Sequence, residues 1–181
     1  MRKVAKFGGT SVADAEQIKK VLAIVRADPE RKCIVVSAPG KRHPDDHKVT
    51  DLLYQWYSLL KLDAGKPATD IRALIRERYA SIAEGLGVSF DINAELDTIE
   101  RSMAVYLTPD FTASRGEYLN AKIISKAIGF EFVDASRFIR FGENGQYDKS
   151  ETFSACRKVL GGTGYYVLLP LFENTRTKRP C

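Results

Sequence analysis

Cysteine is scarce in this chain. Cys33, Cys156 and Cys181 lie far apart and form no CxxC pair, which excludes a disulfide frame or a zinc cage and fits free or buried thiols in a reducing compartment. No apolar run approaches the roughly 20 residues that a membrane helix needs, and no apolar signal-peptide stretch stands near the N-terminus. A cytoplasmic chain without a membrane partner is the expectation. Histidine is equally rare. His43 and His47 stand in HPDDH, but Pro44 follows His43 directly in a polar loop, so no metal site is expected there. The sequence has no internal repeats or low-complexity tracts, and it contains neither GxxxxGK[ST] nor GxGxxG.

Charge of one sign is also in short supply. The formal net charge of +5 owes three of its units to Arg176, Lys178 and Arg179 in the closing NTRTKRPC, leaving +2 for the rest. Elsewhere acids and bases alternate as on solvated helix faces, and the arginines of IRALIRERYA read as the exposed side of an amphipathic stripe. Nucleic acid is therefore not an expected partner. At 181 residues, with 44% hydrophobic and 28% charged residues, the chain is long enough for one ordinary compact domain.

What the sequence does contain is alternation of strands and helices. Val4 to Phe7 reads as a strand, followed by a helical stripe of Val12, Ala15, Ile18, Val21, Leu22 and Val25. Lys32 to Ser37 is a β-branched strand running into SAPGK, followed by a polar loop, KRHPDDHKVTD, expected to be mobile. Helices follow on Leu52 to Leu60, on the stripe Ile71, Leu74, Ile75, Tyr79 and Ile82, and on Ile92 to Met103, the last stopped by Pro109. Another is expected from about Ser114 to Gly129. FEFVDA is a strand, Phe138 to Phe141 with GENGQYD a strand and turn, Thr152 to Leu160 a helix, and YYVLLPLF a buried strand. This order predicts an α/β fold around a mainly parallel sheet.

In such sheets ligands bind beyond the carboxyl ends of the strands. KFGGTS, SAPGK and the TASRGE turn are all expected at that edge. In KFGGTS, glycines let a ligand approach the backbone and Lys6 adds a positive charge, an arrangement that suits phosphate. The same residues also fit a plain tight turn, with Thr10 or Ser11 as N-cap and Asp14 completing a capping box. Thr50 fits a ligand contact or an N-cap. Glu117 is placed in the first turn of its helix, where a carboxylate is comfortable anyway. Arg115 beside it would hold an anionic substrate or simply face solvent.

Taken in series, VAKFGGTSV, IVVSA, KVTDLL, SRGEYLNAKII and FVDAS resemble the N-terminal part of the aspartate kinases, within the amino acid kinase family. The resemblance runs from about Val4 to Val167. It implies a three-layer α/β/α sandwich, truncated here, and transfer of the ATP γ-phosphoryl group to the side-chain carboxylate of L-aspartate with Mg²⁺ as companion ion. It assigns Lys6 to charge neutralisation on the transferring group. Gly8, Gly9, Thr10, Ser11 and Ser37 are assigned to phosphate, and Thr50, Arg115 and Glu117 to substrate, with Glu117 receiving the α-ammonium. A carboxylate nucleophile is already ionised at pH 7, so no catalytic base is required. The resemblance also allows a homo-oligomer in the complete protein.

The chain departs from the family where VLLPLFENTRTKRPC stands in place of a V-I-P-G-F-x-G turn, and no R-G-G-S-D segment occurs. Residues 1–171 are accordingly expected to form the N-terminal part of a kinase domain. Residues 172–181 are expected to be an atypical, disordered basic tail, as from a shifted frame or truncated gene. Two alternatives stay open: an acetylglutamate, carbamate or uridylate kinase relative, and a non-catalytic ligand- or partner-binding fragment.

Overall fold

The computed structural model describes residues 2–105, 108–143 and 145–168. Strand β1 (Lys3–Phe7) passes through a 3₁₀ turn (Gly9–Val12) into helix α1 (Ala15–Arg26), and β2 (Arg31–Val36) follows. Three helices come next, α2 (Val49–Lys61), α3 (Gly65–Gly85) and α4 (Ile92–Val105), then the long α5 (Pro109–Ile128). Strand β3 (Glu131–Val133), helix α6 (Lys149–Leu160) and β4 (Tyr166–Leu168) close the described chain. The four strands pair in the order β1-β2-β4-β3, and every pairing is parallel.

Alternation along the strands sorts the core into two faces. Ile34, Val36 and Val167 join the buried side chains of α1 to α5, with Trp56, Tyr79 and Leu119 fully enclosed. On the opposite face Cys33, Val133, Tyr166 and Leu168 pack with Leu160 of α6. The result is a parallel sheet between helical layers. The α/β class and the parallel sheet are as the strand–helix alternation predicts.

Several local expectations are corrected. Neither Thr10 nor Ser11 caps α1. The 3₁₀ turn intervenes, and Asp14 is the N-cap, its side chain accepting from Gln17 N–H at 2.8 Å. Lys48, not Thr50, precedes α2 as N-cap, so Thr50 lies inside that helix. Helix α5 begins at Pro109 rather than near Ser114, because Thr108 Oγ1 accepts from Phe111 N–H and proline suits the first helical turn. Segment 138–141 makes only an isolated bridge between Phe141 and Tyr147, since the Arg140 N–H is taken by Thr152 Oγ1. Leu74, expected in the buried stripe of α3, is 47% exposed. The end of YYVLLPLF and the whole 172–181 tail lie outside the described residues.

Candidate functional site

With all strands parallel, β1 and β2 release their chains at the same edge of the sheet, and their loops interlock there. Ser37 N–H donates to the Phe7 carbonyl at 3.1 Å, and Gly40 N–H donates to the Gly9 carbonyl at 2.9 Å. The contact is backbone on backbone. A Cβ on Gly40 would sit 2.8 Å from the Gly9 carbonyl carbon and 3.0 Å from Thr10 N, with no flexible side chain to yield. Helix α5 presses in from below through Gly116, where a Cβ would meet Ala38 Cβ at 2.8 Å.

Above this junction opens a cavity of about 540 Å³. Of the residues singled out from the sequence, Gly9, Thr10, Ser37, Thr50 and Glu117 line it. Lys6, Gly8 and Ser11 do not line it; Lys6 is exposed on β1. Arg115 also lies outside the lining. Its guanidinium stacks on Phe111 and Tyr118, with centroid distances of 4.5 and 4.9 Å, and donates to Ser114 Oγ. Gly40, Lys41, His43 and Lys48 also line the cavity, and the two lysines make this stretch a basic wall.

Glu117 is not in a first helical turn. It stands in the interior of α5, only 6% exposed. Burial raises its pKa to about 7, and nearby backbone N–H groups with the Arg115 charge oppose this without cancelling it. Its Oε2 is buried with no hydrogen-bond partner among the described residues. Two turns into α5, its carboxylate is beyond the reach of the helix N-terminal dipole. A buried acceptor without a donor, on the wall of a cavity, is chemically suited to a cationic ligand.

Three residues of this region were not legible as functional. Arg78, assigned above to an exposed stripe, is 2% exposed. Its guanidinium donates to the Gly40 carbonyl at 2.9 Å and to both Asp46 oxygens at 2.7 and 2.6 Å. Asp46 in turn receives Arg42 Nε at 2.9 Å and Arg42 N–H at 2.8 Å. Hydrogen bonds from Arg42 first, with the Arg78 charge, hold its carboxyl well below the usual range. The loop expected to be mobile is thus anchored by a buried ion pair. Asn120, fully buried on α5, donates to the Ser37 carbonyl at 2.8 Å. The missed signals were spacings: Arg78 falls three residues after Ile75 on the apolar stripe, and Asn120 three after Glu117.

Among the described residues no group of three or more His, Cys, Asp or Glu side chains is placed to hold a metal ion. This donor set does not form a protein cage for Mg²⁺, an ion that commonly binds through substrate phosphates instead. Nor is any helix among the described residues long and apolar enough to cross a membrane.

Comparison with known proteins agrees with this architecture. Aspartokinase 3 of Bacillus subtilis is 38% identical over 141 residues, covering 74% of this chain and 30% of that protein. The crystal structure of Clostridium acetobutylicum aspartate kinase superposes with a TM-score of 0.85 at 38% identity, over 92% of this chain and 38% of that one. Escherichia coli aspartokinase III, solved with aspartate and ADP, superposes at 0.73 with 20% identity over 93% of this chain and 40% of its own, a likeness of fold. The chain therefore spans between three and four tenths of the length of these relatives. The sequence pattern of the amino acid kinase family matches residues 1–160, and the chain belongs to that family.

Proposed function

We propose that residues 1–171 are the N-terminal part of an aspartate kinase domain and that the cavity at the carboxyl edge of the sheet takes L-aspartate. The observation that carries this reading is the buried Oε2 of Glu117 on the cavity wall, unpartnered among the described residues. An α-ammonium would satisfy that oxygen and favour the ionised carboxylate. Lys41 and Lys48 place positive charge on the same cavity, where the carboxylates of an acidic amino acid have a use for it.

In the reaction a side-chain carboxylate oxygen attacks the γ-phosphorus of ATP. A P–O bond forms, the bond to ADP breaks, and 4-phospho-L-aspartate results. No proton has to be removed from the nucleophile. Catalysis of this kind is positioning and charge stabilisation. Lys6 neutralises charge on the transferring group, the N–H groups of Gly8 and Gly9 approach phosphate, and Thr10, Ser11 and Ser37 offer hydroxyls beside them. Thr50 and Glu117 hold the amino acid. A direct role for Arg115 requires its guanidinium to leave Phe111 and Tyr118. Mg²⁺ held through the nucleotide phosphates would supply further charge neutralisation there. A cytoplasmic location and self-association of the complete protein belong to the same proposal.

Calorimetric titration of the 181-residue chain tests the amino acid site. L-Aspartate should bind at least tenfold more tightly than succinate, which keeps both carboxylates and lacks the ammonium. Equal affinities would overturn the assignment of Glu117. Preference for N-acetyl-L-glutamate, whose nitrogen carries no charge, would move the chain to another branch of the family.

A further inference from the structure

We propose that Arg78 is a positioning residue for the cavity, setting the relation between the two glycine loops from a distance; its effect on ligand rests on the cavity being an amino acid site. The guanidinium is buried in α3 and donates to the Gly40 carbonyl at 2.9 Å. The N–H of the same glycine donates to the Gly9 carbonyl at 2.9 Å. Gly40 is thus held on both sides, by α3 through its oxygen and by the β1 loop through its nitrogen.

A second set of bonds fixes the far end of the loop. Arg78 Nη2 reaches both oxygens of Asp46 and the His47 carbonyl at 3.2 Å, one residue before Lys48. Between these anchors lie Lys41 and His43, and Thr50 follows on α2; all three line the cavity. One planar group with several donors therefore ties both ends of the basic wall to a helix that contributes no residue to the cavity lining. Arg42 also pairs with Asp46, at 2.9 Å, but it belongs to the loop itself and its side chain is 34% exposed. Its own tie to α3 is a 3.8 Å ion pair with Glu77, whose side chain is 58% exposed, so it holds the loop to the body of the protein far less firmly than the buried Arg78 does.

A buried ion pair can serve stability alone, so the test separates local from global effects. Amide hydrogen exchange on the wild-type chain and on Arg78→Met, Arg78→Lys and Arg42→Ala reports the Gly40 N–H directly. In both Arg78 variants Gly40 should exchange at least tenfold faster while the β2 amides change by less than about twofold. Arg42→Ala should leave Gly40 within about twofold of wild type. Where Arg78→Met folds poorly, Arg78→Lys retains the charge and loses the fork, and carries the same expectation.

Titration with L-aspartate well below each melting temperature gives the functional arm. The dissociation constant should rise about tenfold in Arg78→Lys and stay within twofold in Arg42→Ala. Uniform acceleration of all amides, or unchanged Gly40 exchange, would overturn the positioning role. Faster Gly40 exchange with unchanged aspartate affinity would overturn the link to ligand. If the wild-type chain binds no aspartate, the amino acid reading fails, while the exchange result still decides what Arg78 positions.

Discussion

Glu117 and Asp46 are both almost fully buried, at 6% and 7% exposure, yet the molecule treats them in opposite ways. Asp46 receives two arginines, and its carboxyl is held well below the ordinary range by hydrogen bonds from Arg42 and the Arg78 charge. Glu117 keeps one oxygen unpartnered among the described residues, and burial raises its pKa to about 7. Pairs of carboxylates pushed apart in this way commonly mark one structural and one functional group. If an ammonium binds the ionised form, the fraction ionised sets the apparent affinity. With a pKa near 7 that fraction is about one tenth at pH 6 and about nine tenths at pH 8. Aspartate affinity should therefore rise about tenfold between pH 6 and pH 8 in the wild-type chain. Glu117→Gln should weaken binding by about tenfold to a thousandfold and remove the pH dependence, since no titrating carboxylate remains at the site. Calorimetry at the two pH values on both proteins is the measurement. An affinity that falls with pH, or a Gln variant that keeps the slope, would dissociate the ammonium from Glu117.

At the scale of elements, the helices were readable because their apolar stripes recur at three- and four-residue spacing, as Ile18, Val21, Leu22 and Val25 show on α1. Helix starts were harder. Pro109 was read only as a stop for α4, although proline is also favoured at the first turn of α5. That misplaced start carried Glu117 into a terminal turn. The reading of Arg78 failed for a different reason: a guanidinium on an apolar stripe is legible as buried only if its partner is known. Asp46 comes from a loop 32 residues earlier. Close approach between elements is likewise invisible to pattern, and Gly116 is the instance to test. Alanine in place of glycine inside a helix ordinarily gains about 1 kcal/mol. Here the added Cβ would lie 2.8 Å from Ala38 Cβ and 3.0 Å from Leu53 Cδ1. Leu53 can rotate away, but Ala38 moves only with the backbone of the cavity wall. Overpacking of this kind costs about 1–3 kcal/mol, so Gly116→Ala should be a net loss of about 1 kcal/mol, lowering the melting temperature by roughly 2–4 °C. A higher melting temperature would show that the α5 contact has slack.

Across the whole molecule, class and strand direction followed from alternation, but strand order did not. Strand β3 is three residues long, too short to announce that β4 inserts between it and β2. Their neighbours are chosen by the two buried faces, a long-range property that local periodicity does not encode. The same global burial sets how stability responds to pH. Asp46 has a folded-state pKa below its unfolded value of 3.8. Its contribution is present above that value and is lost as pH falls through the folded one. Glu117 has the opposite sign. Its folded pKa of about 7 lies above the unfolded 4.5, so the folded chain binds the extra proton between those limits. The stability it contributes is full below 4.5 and disappears as pH rises through 7. The difference corresponds to about 3 kcal/mol. Cys33 and Tyr79, whose burial raises their pKa above 9.0 and 10.0, act with the same sign only in more alkaline solution. Between pH 5 and pH 8 the slope therefore belongs mainly to Glu117. Urea midpoints of the ligand-free wild-type chain should fall steadily over that interval, while those of Glu117→Gln should stay nearly flat and exceed the wild type at pH 8. Saturating L-aspartate should flatten the wild-type slope too, because the bound ammonium lowers the Glu117 pKa toward its unfolded value. Parallel slopes in the two proteins would place the proton elsewhere and leave the buried carboxylate charged in the free chain.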